Sequence, residues 1–469
     1  MTRLVKISTE IEVETVLIEF RVANYRSIKE EQTLSLVSSR SKELMDSHTF
    51  EAKGFKDRLL RSAAVYGPNA SGKTNLFLAL GTMREIVEES AREGHSGDLL
   101  PVEPFKLDSR SHKEPTQFEV VFMVQGVRYQ YGFSATATSV VSEWLFAFPE
   151  GRPRCWFERE LGKNGHCKWN LGASLKGEKQ LWQKSTRDNA LFLSTAEQLN
   201  SQQLKPVFDW FKDTLRFVGA RGVSPWFSAS FCEKHGPDKV VDFLQEADLG
   251  IHNVYVKQEP VDPENLSEDR PDSGEKRIVR FMVDKEVRKI KFRFRMDKET
   301  PEIKTVHISS TGDLVEFDLL VQESSGTRKV FGLAGPFLES LQNGHVVCID
   351  ELHNSLHPEL VKFLVGLFND NTTNHRNAQL IFTTHETSML NQKILRRDQI
   401  WFCEKDKNQA TTVYPLTDFH PRKGVENLEL AYLSGRYGAL PYPNATRSRR
   451  RKAYLSGRYG ALPCIPASH

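Results

Sequence analysis

The octapeptide Gly67-Pro68-Asn69-Ala70-Ser71-Gly72-Lys73-Thr74 constrains this chain more than any other stretch. It follows an apolar run (Leu59, Leu60, Ala63, Ala64, Val65) and precedes Leu76, Leu80, Met83 and Val87 at helical spacing. A strand, a glycine-bearing turn and a helix in that order make a phosphate cradle. The glycines let backbone N–H groups converge on an anion, and the helix N-terminus adds its dipole. In such a layout Gly67, Asn69, Ala70, Ser71 and Gly72 wrap the phosphates, Lys73 reaches the β- and γ-phosphates, and the Thr74 hydroxyl takes a place on Mg²⁺. A chance match in a glycine-bearing loop would not bring its own strand and helix.

A phosphate loop of this type needs an acidic partner at the end of another strand. His345-Val346-Val347-Cys348-Ile349-Asp350-Glu351 supplies two carboxylates after an apolar run. Asp350 is expected to hold the metal, directly or through water, and Glu351 to orient and polarise an attacking water. A buried strand ending at a helix cap would explain one carboxylate but not the pair. A later run, Gln379-Leu380-Ile381-Phe382, ends in Thr383-Thr384-His385-Glu386. His385 on that strand end can hydrogen-bond the γ-phosphate or the water, although a lone histidine is more often structural. Upstream, Glu323-Ser324-Ser325-Gly326-Thr327-Arg328 opens a helical pattern (Val330, Ala334, Phe337, Leu341) that closes at Asn343-Gly344. Read alone, Ser-Ser-Gly is an ordinary helix cap. Gly335-Pro336 is expected to kink the helix.

Lys73 and Asp350 lie 277 residues apart, too far for a compact GTPase-like or kinase-like domain. The spacing predicts a head in two lobes with a long insertion. Strands are expected at Val16–Val22, 33–37, Phe118–Val124, Val127–Phe133 and Val140–Phe148, with Gly126 in a hairpin. Residues 174–249 read as mostly helical, with Trp182, Leu191, Leu193, Val207, Trp210 and Phe211 as core. Residues 258–276 carry too little apolar surface to offset their ordering entropy and are expected to be disordered. Two more strand-like runs follow, 287–296 and 303–309. The first interleaves Arg288, Lys291, Arg293 and Arg295 with apolar residues, a pattern found more often on a solvated sheet face than in a nucleic-acid groove. The expected organisation is an N-terminal extension (1–15), a first lobe with the phosphate loop and an antiparallel sheet (16–150), a largely helical insertion (151–300), a second lobe (301–445) and a tail (446–469). The eleven residues 431–441 recur letter for letter as 453–463, with the basic run Arg447-Ser448-Arg449-Arg450-Arg451-Lys452 between the copies. Solenoid repeats diverge and continue, so this reads as a tail duplication of which only the first copy packs on the body.

Lys plus Arg number 64 and Asp plus Glu 61, which excludes a protein that is basic throughout and leaves local patches open. Uninterrupted aliphatic or aromatic runs reach about the length of residues 120–124, far short of the ~20 that span a bilayer, and Glu10, Glu12 and Glu14 stand where a signal peptide would need an apolar core. Six cysteines with no C-x-x-C pair do not make a disulfide framework or a zinc site. A reduced, cytoplasmic compartment is expected.

In this order, the phosphate loop, the Ser-Gly turn, the Asp-Glu pair, the Asn354-Ser355-Leu356-His357-Pro358 loop and His385 resemble the ATP-binding-cassette (ABC) heads of the SMC and RecF kind. Asn24-Tyr25-Arg26-Ser27-Ile28, Glu323–Thr327, Arg396–Phe402 and Gly435–Pro441 narrow the resemblance to the AAA15-type ATPases, over most of residues 16–445. The resemblance implies an α/β fold, a two-lobed ABC-type head with an antiparallel β subdomain and a helical insertion, hydrolysing ATP with Mg²⁺. It implies that Lys73, Thr74, Asp350, Glu351 and His385 act within one chain, with Arg26 and Ser27 near the nucleotide. Ser325 and Gly326 would touch the γ-phosphate of a neighbouring subunit's ATP, so the chain would partner itself in an ATP-sandwich dimer or a larger homo-oligomer. No heptad coiled coil separates the lobes, unlike a long-armed SMC protein. Related overcoming-lysogenization-type ATPases carry a Toprim nuclease after the head. Here 84 residues follow His385, and Glu404 and Asp406 read as solvated residues at a strand end. The resemblance therefore implies a separate Toprim nuclease partner in a two-gene phage-defence system, triggered by a phage anti-restriction protein that mimics DNA. The rival expectation is a RecF-type DNA-repair ATPase gripping the DNA backbone through Arg288, Lys291, Arg293 and Arg295.

Overall fold

The computed structural model describes residues 15–92, 95, 97–162, 164–219, 222–257, 278–283, 286–291 and 302–440. Residues 1–14, the stretch 258–276, Arg293, Arg295 and everything beyond residue 440, the second repeat copy included, lie outside them. The chain divides into two compact units, residues 1–223 with 337–469, and residues 224–336.

The larger unit holds two sheets. Short, largely apolar runs cannot leave a face in water, and they form the middle of a sheet buried on both sides. Ser62–Tyr66, Val346–Ile349 and Gln379–Thr383 are buried at every position. Their sheet runs in the order Leu215–Val218, Val346–Ile349, Gln379–Thr383, Ser62–Tyr66, Ile400–Lys405, Thr411–Pro415. The first five strands are parallel, and the last is an antiparallel edge. The second sheet is antiparallel and seven-stranded: Cys167–Leu171, Arg154–Leu161, Val140–Phe148, Val127–Ala135, Thr116–Val124, Thr15–Ala23, Gln32–Ser35. Gln125 and Gly126 both take positive φ (53° and 74°), as a two-residue hairpin requires, and Gly126 stands where the sequence places the turn.

The two sheets share one core, in which Trp210 stacks on Phe122 with ring centroids 4.2 Å apart. Trp182, Leu191, Leu193, Val207 and Phe211 are buried there too, and Cys348 is core. Burial pushes the Cys348 thiol up to about 12. Gln379, on the central parallel strand, stitches the sheets together. Its side chain accepts from the Leu17 N–H (2.7 Å) and donates to the Leu17 and Leu60 carbonyls (3.0 and 3.1 Å). This is the mixed α/β fold expected of an ABC-type head.

The insertion differs from the helical block expected. The antiparallel sheet continues past residue 150 through two further strands, to Leu171. Leu215–Val218, inside the stretch read as helical, forms a parallel strand beside Val346–Ile349. Four residues are too few to show a period, so pairing with a distant strand decided this segment.

The smaller unit holds helices Pro225–His235 and Asp238–Glu246 and a sheet in the order Asn253–Lys257, Glu302–Ile308, Leu314–Asp318. A hairpin pairs Ile278–Val283 with Glu286–Lys291. The unit also contains the first turns of the helix Ser325–Asn343, which runs unbroken through Pro336. A proline leaves the carbonyl four residues earlier without its helical donor. Ser228 fills in beside it: its hydroxyl donates to the Phe331 carbonyl at 2.5 Å, accepts from the Gly335 N–H at 2.9 Å and lies 3.2 Å from the Gly332 carbonyl. Gly335 is required there, because a Cβ would sit 2.8 Å from the Ser228 Cα.

Candidate nucleotide site

The phosphate loop leaves the carboxyl end of Ser62–Tyr66, and Asp350 and His385 follow the ends of Val346–Ile349 and Gln379–Thr383. In a parallel sheet this is the edge where ligands bind. Because Gln379–Thr383 lies between the other two strands, His385 is delivered between the loop and the Asp-Glu pair.

Helix Lys73–Glu89 starts at Gly72 with no side-chain cap and no acidic residue in its first turn, leaving its N-terminal N–H groups for an anion. Gly72 has φ 109°, and a Cβ there would lie 2.1 Å from Thr411 Oγ1. A Cβ on Gly67 would meet the Cys403 carbonyl at 2.1 Å. Ala70 also holds a left-handed φ of 62°. Asn69 and Ala70 are exposed, whereas the buried Ser71 hydroxyl has no protein partner.

The Lys73 ammonium spends its three donors on neutral acceptors: the Gly67 carbonyl (2.8 Å), the Pro68 carbonyl (3.0 Å) and His385 Nε2 (3.2 Å). Burial lowers its pKa, although Asp350 and Glu351 pull the other way. His385 is pushed down to about 4, first by burial, then by the Lys73 and His353 charges. A neutral ring that accepts from Lys73 through Nε2 carries its proton on Nδ1, which makes that nitrogen a donor.

Thr74 donates to Asp350 Oδ2 at 2.8 Å. Adjacent oxygens on an octahedral Mg²⁺ stand about 3 Å apart at the usual 2.0–2.1 Å ligand distance. Among the described residues no three His, Cys, Asp or Glu side chains converge on a metal cluster. One carboxylate and one hydroxyl suit an ion completed by phosphate oxygens and water. The uncapped helix end, the orphaned Ser71 hydroxyl and the Thr74–Asp350 pair together fit a nucleoside triphosphate with Mg²⁺, which would supply charge neutralisation at the phosphates.

A family profile described as "AAA domain, putative AbiEii toxin, Type IV TA system" matches residues 62–391. The chain belongs to this AAA domain family. It is similar to the solved SMC head domain from Thermotoga maritima, at 12% identity and TM-score 0.35, over 85% of this chain and 98% of that one. It is also similar to the SMC head bound to the C-winged helix domain of ScpA, at 13% identity and TM-score 0.35, over 85% and 96%. No curated protein sequence matches the chain.

The other residues singled out in the sequence take distinct places. Glu351 directly follows Asp350 in a left-handed conformation (φ 53°), and its N–H donates to Thr383 Oγ1 at 2.7 Å. Ser27 backs the loop, in a relay in which Asn75 donates to the Ser27 hydroxyl (2.7 Å), Ser27 bonds Thr411 (2.7 Å), and Thr411 donates to the Ser71 carbonyl (2.9 Å). Arg26 turns to Glu103 at 2.8 Å. Ser325 and Gly326 open their helix in the smaller unit. The cap there is made by Ser324, whose hydroxyl accepts from the Thr327 N–H at 3.0 Å, while Ser325 is exposed. Glu323 accepts from the Thr305 hydroxyl (2.5 Å) and contacts His307 Nε2 (2.7 Å).

Sequence reasoning missed Thr383 and Thr411. Thr383 stands in the strand end read for His385 without a role of its own, Thr411 belongs to no motif, and only pairing of strands distant in sequence brings them to the carboxylates and the loop. Glu404 differs from its expected solvated role: its Oε2 accepts from the Ala439 N–H at 2.8 Å. Around that bond packs the first repeat copy, with Tyr432, Tyr437 and Ala439 buried and Phe402 stacked on both tyrosines. Arg396 and Asp398 clamp the loop at Ser39. Arg396 bonds Asp398, which accepts from the Ser39 N–H and hydroxyl at 2.7 Å each.

Proposed function

We propose that this chain is a Mg²⁺-dependent ATPase that works as a homo-oligomer in a two-gene phage-defence system. On this reading it is of the kind of AriA, the ATPase subunit of PARIS, holding a separate Toprim nuclease and releasing it on infection. The observation that carries the ATPase reading is the convergence of Lys73, the Thr74–Asp350 pair and a neutral His385 on one parallel-sheet edge. Lys73 and the uncapped helix end bind the phosphates, Thr74 and Asp350 take the metal, and Glu351 accepts a proton from the attacking water. His385 donates through Nδ1.

Exposed Ser325, beside a turn capped by its neighbour, supports a role for the Ser-Gly turn at another subunit's nucleotide. The toxin–antitoxin wording of the family description supports a two-component setting. No helix among the described residues is long and apolar enough to cross a membrane.

The test is fluorescent-ATP binding and phosphate release by the purified chain, with sedimentation to read assembly. Glu351→Gln is expected to bind ATP, to turn it over at least about 100-fold more slowly, and to accumulate as an ATP-dependent dimer or larger species. Ser325→Arg is expected to bind ATP but not to assemble. Turnover by Glu351→Gln at the parent rate, or full-speed hydrolysis by a monomer, refutes the ATPase mechanism. A neighbouring-gene product that neither co-purifies nor loses phage protection with Glu351→Gln refutes the defence role.

A further inference from the structure

We infer that Thr383 is the positioning residue that sets both members of the Asp-Glu pair at once. It is the last residue of the strand lying between the phosphate-loop strand and the carboxylate strand, and it is fully buried. Its hydroxyl donates to Asp350 Oδ1 at 2.7 Å. Since Asp350 Oδ2 is taken by Thr74, the carboxylate is held at both oxygens and its plane is fixed. The same Thr383 oxygen accepts from the Glu351 N–H at 2.7 Å, and the Thr383 carbonyl accepts from the Leu352 N–H at 3.1 Å.

Those two backbone bonds bracket Glu351, whose φ of 53° is a conformation that a residue with a Cβ avoids unless its surroundings impose it. One hydroxyl therefore fixes the orientation of the group assigned to the metal and the backbone bend that aims the group assigned to water. A threonine used only for packing would not need its donor and its acceptor both committed to adjacent residues of one site. The β-branched side chain suits the task, because its χ1 is stiff and leaves the hydroxyl few alternatives.

This inference rests on the ATPase reading above, and the experiment separates the two. ATP affinity is measured with Mg²⁺ and with EDTA, alongside kcat and KM, for the parent, Thr383→Ser and Thr383→Val. Valine keeps the shape and removes the hydroxyl. Thr383→Val is expected to lose about 10- to 100-fold of the Mg²⁺-dependent gain in affinity, with kcat falling more than KM rises, while ATP affinity in EDTA stays within about threefold. Thr383→Ser is expected to restore both readouts to within about threefold. The ratio of affinities with and without Mg²⁺ does not depend on how much of the sample is folded, and Thr383→Cys replaces Thr383→Val should valine prevent folding. Equal Mg²⁺ dependence and equal kcat in parent and Thr383→Val, or equal loss in Thr383→Ser and Thr383→Val, overturn the inference alone. A parent chain that binds no ATP overturns the inference and the ATPase reading together.

Discussion

Removing the carboxylate of Glu143 should cost this protein much of its stability, through a network buried behind the phosphate-loop helix. Glu143 is 0% exposed and sits 3.0 Å from the guanidinium of Arg159, whose side chain is 2% exposed. The carboxylate also accepts from the Tyr131 hydroxyl (3.1 Å) and from the N–H groups of Phe192 and Leu193 (2.7 and 3.0 Å), so it caps the helix Phe192–Gln198. Arg159 further donates to the Ala190 carbonyl at 2.5 Å. In Glu143→Leu the arginine keeps that one bond but loses its counter-ion in a dry interior, and two helix N–H groups lose their acceptor. Breaking such a pair from one side costs about 3–5 kcal/mol, a large part of the 5–15 kcal/mol typical of a folded domain. The readout is urea unfolding followed by intrinsic fluorescence, to which the larger unit contributes six of the seven tryptophans. Replacing both partners, Glu143→Leu with Arg159→Met, removes the stranded charge and should recover at least half of the loss. A single-variant loss below about 1 kcal/mol, or a double variant equal to the sum of the two singles, would refute the reasoning.

Three further outcomes are expected. Deleting residues 446–469 should leave melting temperature and ATP turnover at parent levels, whereas deleting 428–469 strips Tyr432 and Tyr437 from Phe402 and removes Glu429, which accepts from Thr387 (2.6 Å) two residues past His385. The longer deletion should lower both readouts in calorimetry and phosphate release; the opposite ranking would count against the packing role of the first repeat copy. Ser228→Ala should destabilise the smaller unit by about 1–3 kcal/mol, because the Phe331 carbonyl and the Gly335 N–H lose the hydroxyl that joins them and the Gly332 carbonyl loses its nearest hydroxyl; hydrogen exchange at the N–H groups of that helix reads it, and unchanged protection would refute it. His345 is buried and held down to about 3, by desolvation and then by the Arg216 charge, against an ordinary value near 6.5. Its contribution is fully present above pH 6.5 and is lost as pH falls toward 3, because the unfolded chain takes up the proton first. His345→Asn should therefore lose stability less steeply across that window, as measured by urea midpoints at a series of pH values; parallel curves would contradict it.

The candidate site was legible in the sequence because each motif combines a local backbone demand with a chemical one. Gly72 must be glycine at φ 109°, Lys73 and Thr74 must open a helix, and two adjacent carboxylates must end an apolar run. Helix Lys73–Glu89 buries Leu76, Leu80, Met83 and Val87, the positions that its spacing marks. Where the sequence misled, the information was non-local. Leu215–Val218 is too short to show a period, and nothing near Pro336 in the sequence points to Ser228, whose hydroxyl joins the helix backbone there. Glu404 looks solvated until residues 435–440 fold back over it.

The sequence by itself determined which groups stand at the candidate site, since glycine-bearing turns and strand-end carboxylates are local devices written in consecutive residues. Only the tertiary structure decided how those groups are aimed. The strand carrying Thr383 had to slot between two others before one hydroxyl could reach both Asp350 and Glu351, and Thr411 had to cross from the far edge of the sheet to brace Ser71. A hydrogen bond acts over about 3 Å, whatever the separation along the chain, so contacts of this kind exist only after the sheet has assembled.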